Sequence, residues 1–208
     1  MTEVHRACVG LGANLGDARA SLEHALHALD TLPRSRVRAI SSLYRSAPVD
    51  AEGPDFLNAV AMLDTCLDEH ALLSAMQAVE LAAGRERSHR NAPRTLDLDL
   101  LLYDIAADGI ESRKIETPVL QVPHPRLHAR AFVLAPLCEL APELRIAGRA
   151  PLPALLAACR DQVVERIAPA RGLGWCDPTP CEPPPGQPRP ASATQRAPIP
   201  AANFIFRS

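Results

Sequence analysis

The feature that most constrains this sequence is a run in which leucine and aspartate alternate from Leu96 to Leu100, followed by leucine alone up to Leu102. Alternation with a period of two is typical of a β-strand that enters a core, and it places Asp97 and Asp99 on the same face. Carboxylates two residues apart on one face lie roughly 7 Å apart. At an effective dielectric near 20, two unpaired charges at that distance repel by about 2 kcal/mol. We therefore expect a positive partner for this pair.

Two interpretations of the pair remain open from its spacing alone. In the first, the aspartates lie on the solvated face of an edge strand. In the second, they are hard oxygen ligands that hold Mg²⁺ together with phosphate groups. The preceding residues favour the second interpretation, because guanidinium groups beside a carboxylate pair suit a polyphosphate with its metal. The arginines concerned are Arg85, Arg87, Arg90 and Arg94.

The segment from Arg90 to Leu101, with the sequence RNAPRTLDLDLL, resembles the signature of the 6-hydroxymethyl-7,8-dihydropterin pyrophosphokinase family. A second segment, VPHPRLHARAF from Val122 to Phe132, is similar to another motif of these folate-pathway enzymes. The similarity extends from about Val9 to Leu140. It implies that diphosphate is transferred from ATP to the hydroxymethyl group of the dihydropterin, with release of AMP.

The resemblance also implies which residues form the site. Two Mg²⁺ ions would be held by Asp97 and Asp99, and the catalytic residues would be these two aspartates with Arg85 and Arg94. ATP would contact Gln77, Glu80, Arg87, Leu100, His124 and Arg130. The pterin would contact Ser46, Ala47, Phe56, Asn58 and Phe132, with the two phenylalanine rings on either side of the bicycle.

The residues themselves leave alternatives open for several of these assignments. Asn58 is a polar residue on a strand face otherwise fit for burial, so it needs a hydrogen-bond partner, which a neighbouring loop could equally supply. Gln77 and Glu80, three residues apart, also fit an ordinary solvated pair on a helix. His124 and Arg130, taken alone, are consistent with surface positions.

Some positions depart from the family pattern. The segment between Arg85 and Arg94 is one residue shorter than in typical members, which leaves the assignment of Arg87 and Arg90 open. Asn91 stands where some members have a tryptophan that closes over the pterin, Phe56 replaces a tyrosine, and Pro125 follows the histidine. None of these changes involves the aspartates, so we expect an active enzyme with altered lid behaviour.

The order of apolar patterns predicts an α+β fold with a ferredoxin-like βαββαβ core and C-terminal helical additions. In this plan two helices cover one side of an antiparallel sheet, which leaves the other side for ligands. Gly10 to Asp17 is predicted to be a glycine-rich turn, either a phosphate site or a tight connection capped by Asp17. The predicted strands are Val4 to Gly12, Val37 to Arg45, Phe56 to Thr65 and the aspartate strand. The predicted helices are Ala18 to Leu32, Asp68 to Ala83, Ala131 to Leu140 and Leu152 to Cys159.

Composition limits the possible partners. The net charge of −2 gives no general affinity for nucleic acid or anionic membranes, and no apolar run approaches the ~20 residues of a membrane span. No signal-peptide pattern is present, and the six cysteines form no C-x-x-C. Lys114 is the only lysine and does not stand in a P-loop motif, so no P-loop exists. We expect a cytoplasmic monomer that binds small-molecule substrates. Residues 1–167 are predicted to form the pyrophosphokinase domain, and residues 168–208 a proline-rich, disordered tail.

Two other classes of protein are compatible with parts of the pattern. One is a non-catalytic ferredoxin-like module, such as an RNA binder, although only 3% of the residues are aromatic and an RNA-reading sheet needs exposed aromatic side chains. The other is a different Mg²⁺-dependent nucleotidyl or phosphoryl transferase. The product distinguishes this second class, because diphosphate transfer releases AMP.

Overall fold

The computed structural model describes residues 3–48, 53–84, 95–106, 111–146 and 148–169. A mixed α+β fold is built on one six-stranded antiparallel sheet with helices packed against both of its faces. The elements are β1 His5–Ala13, α1 Ala18–Asp30, β2 Ser35–Ile40, β3 Leu43–Ser46, β4 Phe56–Thr65, α2 Glu69–Ala82, β5 Asp97–Leu102, β6 Ile115–Glu116, β7 Gln121–Val122, α3 Ala131–Leu140, α4 Leu152–Ala158 and β8 Val164–Ala168. Within the described residues, no helix is long and apolar enough to cross a membrane.

The sheet has the strand order β5-β1-β4-β3-β8, with β2 also paired to β4. If β2 and β3 are counted as one interrupted strand, the order along the chain is βαββαβ, and the predicted ferredoxin-like core is confirmed. The first core lies between the sheet and helices α1 and α2, which contribute Leu22, Leu26, Leu72 and Met76. Both helices begin at predicted caps, since Asp17 accepts a hydrogen bond from the Ala20 N–H and Asp68 accepts two.

The prediction of a single strand from Val37 to Arg45 is wrong, because the chain bends at Ser41 and Ser42. The Ser41 hydroxyl accepts the N–H of Val60 at 3.0 Å, while the Ser41 N–H donates to the Val60 carbonyl at 2.9 Å. A side chain therefore replaces one regular backbone bond of the ladder, and the strand is divided into β2 and β3. The predicted glycine-rich turn also differs, because Gly10 and Gly12 lie within β1.

The second face of the sheet is not wholly available for ligands, contrary to the prediction. Cys8, Val60 and Leu101 on that face pack against α3 and α4, which form a second apolar core. These side chains would otherwise expose a large apolar surface, and the C-terminal helices remove it from water. The end of this face that carries Asp97 and Asp99 stays partly exposed, since both aspartates are half-buried, and the buried Asn58 lies beside them.

The last described strand, β8, was not predicted. It pairs with β3 in an antiparallel register that places Arg166 opposite Tyr44. The sheet therefore extends to Ala168, and the predicted tail from that residue onward lies almost entirely outside the described residues. The predicted boundary at residue 167 stays a prediction.

A polar cluster around Glu139 joins α3 to β3 and β8. Its carboxylate accepts from the Ser42 N–H at 3.1 Å, the Ser42 hydroxyl at 2.7 Å and the Tyr44 hydroxyl at 2.9 Å. Arg166 completes the cluster, at 3.4 Å from Glu139 and with its Nε donating to the Ser42 hydroxyl at 2.8 Å. Burial, and then the Glu139 charge, raise the pKa of the Tyr44 phenol well above its usual range, so it remains a donor.

We expect Glu139→Ala to lower the free energy of unfolding by about 2–4 kcal/mol, because it leaves buried donors of Ser42 and Tyr44 without an acceptor. Urea denaturation of the two proteins would measure the difference. Glu165→Ala is the matched control, because Glu165 forms a solvent-exposed pair with Arg45 at 3.5 Å, and such pairs contribute about 0–1 kcal/mol. Equal losses in both variants would contradict a structural role for the cluster.

Candidate active site

The two aspartates and Asn58 lie in register across β5, β1 and β4, at one end of the sheet. Asp97 is opposite Gly12 of β1, Gly12 is opposite Asn58 of β4, and Asp99 is opposite Gly10. In β5 the intervening Leu98 belongs to the core beneath α1 and α2. The aspartates therefore project from the other face, as the alternation predicted, and they share it with Asn58.

Gly12 leaves a gap between the acidic pair and the amide. A Cβ atom added at this position would have the Asn58 Oδ1 as its nearest neighbour, at 3.5 Å. Only backbone therefore lies between Asp97 and Asn58 on this face. The position of Gly12 between Asp97 and Asn58 was not predicted, since its G-x-G pattern suggested a turn.

Asn58 is 4% exposed and has the partner that its burial requires. Its Nδ2 donates to the Ser46 hydroxyl at 3.0 Å and makes a longer contact of 3.4 Å with the Phe56 carbonyl. Because Ser46 is opposite Phe56 in the β3–β4 ladder, the structure brings together three residues that the resemblance assigns to the pterin. Ala47, which follows Ser46, is exposed.

Asn14 was not singled out by the sequence, yet it contributes to the same end of the sheet. It is 6% exposed, and its Nδ2 donates to the Pro54 carbonyl at 3.2 Å. This bond fixes the chain just before Phe56 to the end of β1. The signal in the sequence that could have indicated this role is an asparagine directly after an apolar strand, in GLGAN.

Asp99 faces two cationic or titratable side chains from the segment after β7. His124 Nε2 lies 4.0 Å from one carboxylate oxygen, and an Arg130 guanidinium nitrogen lies 3.7 Å from the other. The His124 Nδ1 accepts the Arg126 N–H at 3.2 Å, so in the neutral ring the proton is on Nε2 and points toward the acidic pair. Burial, with help from Arg130 and Arg126, lowers the pKa of His124 despite the opposing effect of Asp99.

The N-terminus of α3 completes this side of the site. Arg130 is the N-cap residue, and its guanidinium carbon lies 5.4 Å from the centre of the Phe132 ring. A guanidinium at this distance is attracted to the ring face. The structure thus brings Arg130 and Phe132 together, as the second motif predicted, and it places them beside Asp99.

Glu80 is buried, with 3% exposure, so the alternative of a solvated pair with Gln77 is wrong for this residue. Its Oε1 accepts the Leu98 N–H at 2.8 Å. Leu98 lies between the two aspartates on β5, which is the edge strand. On the unpaired side of β5, the Glu80 carboxylate therefore accepts an N–H that a neighbouring strand would otherwise accept. Gln77, one turn earlier on α2, is exposed.

Some predicted site residues are not brought together here. Leu100 is buried in the core beneath α1 and α2, on the face opposite to the aspartates, with 3% exposure. Arg85, Arg87 and Arg94 lie outside the described residues, as does Asn91.

The donor set fits Mg²⁺ better than a metal that requires a closed cage of protein ligands. Two half-buried carboxylates face an open strip of glycine backbone, and Mg²⁺ is usually held by one or two carboxylates together with substrate phosphates. Among residues outside the gaps in the description, no group of three or more His, Cys, Asp or Glu forms a metal cage. His124 and Arg130, beside Asp99, suit the phosphate oxygens that such an ion would share.

A ferredoxin-like sheet with an acidic pair, basic side chains beside it and a buried amide on the neighbouring strands defines an α+β protein suited to phosphoryl-group transfer. The sequence profile of the 7,8-dihydro-6-hydroxymethylpterin-pyrophosphokinase family matches residues 8–142. The chain belongs to this family, and it is therefore a transferase.

Similar proteins in several bacteria carry the name 2-amino-4-hydroxy-6-hydroxymethyldihydropteridine pyrophosphokinase. The one from Pseudomonas aeruginosa is 46% identical over 165 residues, which cover 79% of this chain and 98% of that protein. The one from Methylorubrum extorquens is 42% identical over 144 residues, covering 69% and 87% of the two chains. The one from Bacillus subtilis is 40% identical over 135 residues, covering 64% and 77%.

Solved structures support the fold independently. The Plasmodium falciparum protein described as HPPK-DHPS, crystallised with SDX-DHP, matches with a TM-score of 0.58 at 14% identity. The match covers 76% of this chain and 45% of that longer one. At this identity the likeness concerns the fold.

Proposed function

We propose that this chain transfers diphosphate from ATP to the hydroxymethyl group of 6-hydroxymethyl-7,8-dihydropterin, a step of folate biosynthesis. The products are AMP and the pterin diphosphate. The observation that carries the proposal is the row Asp97–Gly12–Asn58, which aligns the acidic strand and a buried amide across β1. Membership in the family and the names of the relatives support the same reaction.

The pterin is proposed to bind at Asn58, whose carboxamide offers both a donor and an acceptor to the amino-oxo edge of the ring. The hydrogen bond from Asn58 to Ser46 fixes the orientation of this amide before substrate arrives. The rings of Phe56 and Phe132 would pack against the two faces of the bicycle, where offset stacking is favourable. Ala47 would add a small apolar contact.

ATP is proposed to bind with its phosphates between the acidic pair and the N-terminus of α3. His124 would donate from Nε2 to a phosphate oxygen, and Arg130 would add a charged donor beside it. Glu80 holds β5 in place through the Leu98 N–H, and with Gln77 it would face the nucleoside side. The predicted contribution of Leu100 would have to come from its backbone, since its side chain is in the core.

Two Mg²⁺ ions are proposed to be held by Asp97 and Asp99, and when bound they would offset the negative charge of the phosphates and lower the pKa of the pterin hydroxyl. The chain itself would position the two substrates and neutralise charge, which is most of what phosphoryl transfer requires. Arg85 and Arg94, with Arg87, are proposed to neutralise the transferring group. No covalent intermediate with the enzyme is needed.

We also propose that the protein acts as a monomer in the cytoplasm, where ATP is available. Size-exclusion chromatography with light scattering tests this point, and a stable dimer at micromolar concentration would contradict it.

Incubation of the protein with ATP, Mg²⁺ and 6-hydroxymethyl-7,8-dihydropterin tests the reaction. We expect AMP to form only when the pterin is present, in equal amount to the pterin diphosphate. Formation of ADP or free diphosphate instead would indicate another transferase. A folded protein that binds pterin and forms no nucleotide product would be a binding module.

A further inference from the structure

The N-terminus of α3 is capped by a residue from far along the chain. The N-cap residue Arg130 has an extended backbone, with φ −126° and ψ 107°, and makes no side-chain cap of its own. The first N–H groups of a helix have no acceptor within the helix. Here the acceptor is Gln162, whose Oε1 accepts the Ala131 N–H at 2.9 Å.

The same amide also binds the other side of Arg130. Gln162 Nε2 donates to the Ala129 carbonyl at 2.9 Å. The two hydrogen bonds therefore hold the peptide groups that precede and follow Arg130. Because a carboxamide is planar, both bonds act on a single rigid group, and together they fix the direction in which the Arg130 side chain leaves the backbone.

Gln162 is itself held in place. Its N–H donates to the Cys159 carbonyl at 3.0 Å, in the turn that ends α4. Two residues later the chain enters β8, which is hydrogen-bonded to β3. The side-chain amide is thus supported from both directions by ordered structure.

The direction of Arg130 matters because its guanidinium lies at the proposed phosphate site, 3.7 Å from Asp99 and 5.4 Å from the centre of the Phe132 ring. We propose that Gln162 is a positioning residue for Arg130, and that the segment between α4 and β8 thereby determines the affinity for the ATP phosphates. This inference rests on the proposed role of Arg130 in ATP binding. Residue 162 lies beyond both motifs and beyond the family match at residues 8–142.

The test compares steady-state kinetics of Gln162→Ala with the unmodified protein, varying ATP and pterin in turn. We expect the KM for ATP to rise about tenfold, since misplacing a substrate-binding group by about 1 Å can cost up to a hundredfold. The KM for the pterin and kcat are expected to change less than about twofold. Gln162→Glu keeps the acceptor for the Ala131 N–H and loses the donor to the Ala129 carbonyl. Its KM for ATP should therefore lie between those of the unmodified protein and Gln162→Ala.

Asp17→Ala is the matched control, because Asp17 caps α1 through the Ala20 N–H at 3.0 Å and α1 carries no proposed site residue. It should lower thermal stability to a similar extent and leave the KM for ATP unchanged. If Gln162→Ala loses stability like this control while its KM for ATP stays at the original value, Gln162 is only a helix cap and the proposal is overturned. Should Gln162→Ala fail to fold, Gln162→Glu decides by the same criterion.

Arg130→Ala separates this inference from the proposed function. If Arg130→Ala leaves the KM for ATP unchanged, the assignment of Arg130 itself fails. If Arg130→Ala raises that KM and both Gln162 variants do not, the assignment stands and only the positioning role of Gln162 is overturned.

Discussion

Asp97→Ala is expected to reduce pterin-dependent AMP formation on the order of a thousandfold, since a bound metal contributes several kcal/mol of charge stabilisation in the transition state. The carboxylate lies on the open face of β5, so its removal leaves the core between the sheet and α1 and α2 unchanged. Rates measured at saturating ATP and pterin, over a range of Mg²⁺ concentrations, would check the prediction.

Asp64→Ala provides a control of the same chemical type. Asp64 lies on β4 at the end opposite to Asn58, and its carboxylate accepts hydrogen bonds from Arg6 at 3.0 Å and Arg38 at 2.7 Å. Its loss should cost some stability, because two ion pairs are removed, and leave the rate within about twofold, because Asp64 lies far along β4 from Asn58. Near-normal AMP formation by a folded Asp97→Ala protein would overturn the proposed metal site.

Asn58→Ala is expected to raise the KM for the pterin about a hundredfold and to leave the KM for ATP within about threefold. A site that hydrogen-bonds its substrate discriminates strongly, because removal of the partner leaves polar groups of the bound ring unsatisfied. Asn58→Asp preserves the shape and an acceptor while losing the donor to Ser46, and its KM for the pterin should be intermediate. Kinetics with each substrate varied in turn would measure both constants.

An equal rise in both KM values for Asn58→Ala would be incompatible with a pterin-specific role. It would indicate that the variant disturbs the sheet as a whole, through the lost hydrogen bond to Ser46 and the cavity beside Phe56. Thermal denaturation of the same variant distinguishes the two explanations, because a local effect on the pocket changes affinity with little change in melting temperature.

The elements that the sequence predicted well are those in which local pattern and local caps agree. The strand Phe56–Thr65 and the helix that follows Asp68 both have the predicted bounds within a residue, and the acidic strand begins at Asp97. The helix shows apolar periodicity over several turns, the acidic strand alternates, and Phe56–Thr65 is a nearly continuous apolar run; polar residues or glycine mark the ends.

The elements that the sequence did not predict depend on partners far along the chain. The bend at Ser41 requires the N–H of Val60, and β8 exists because Leu43–Ser46 offers an unpaired edge more than a hundred residues earlier. Residues Val164–Ala168 have only a weak alternation of their own. No local rule could have placed α3 and α4 on the second face of the sheet.

The candidate site shows the same division. Alternation predicted that Asp97 and Asp99 share a face. Asn58 is a polar residue on an otherwise apolar strand face, and this predicted that it has a hydrogen-bond partner. The strand register, which aligns them through Gly12, is a property of the folded sheet. The burial of Glu80 was likewise not predictable, because it depends on the edge of β5 approaching α2 from the side.

The row Asp97–Gly12–Asn58 also sets the distance between the acidic strand β5 and the strand β4 that carries Asn58. Adjacent strands are about 4.8 Å apart, so the backbone of β4 is held about 10 Å from that of β5, with β1 between them. This width is set by ladder hydrogen bonds, and no change of side-chain rotamer alters it. A pterin anchored at Asn58 therefore brings its hydroxyl to the carboxylates only when its side arm has the right reach. The fixed distance between the strands therefore selects substrates by the length of this side arm. An analogue with one additional carbon in the arm should bind nearly as well and react far more slowly.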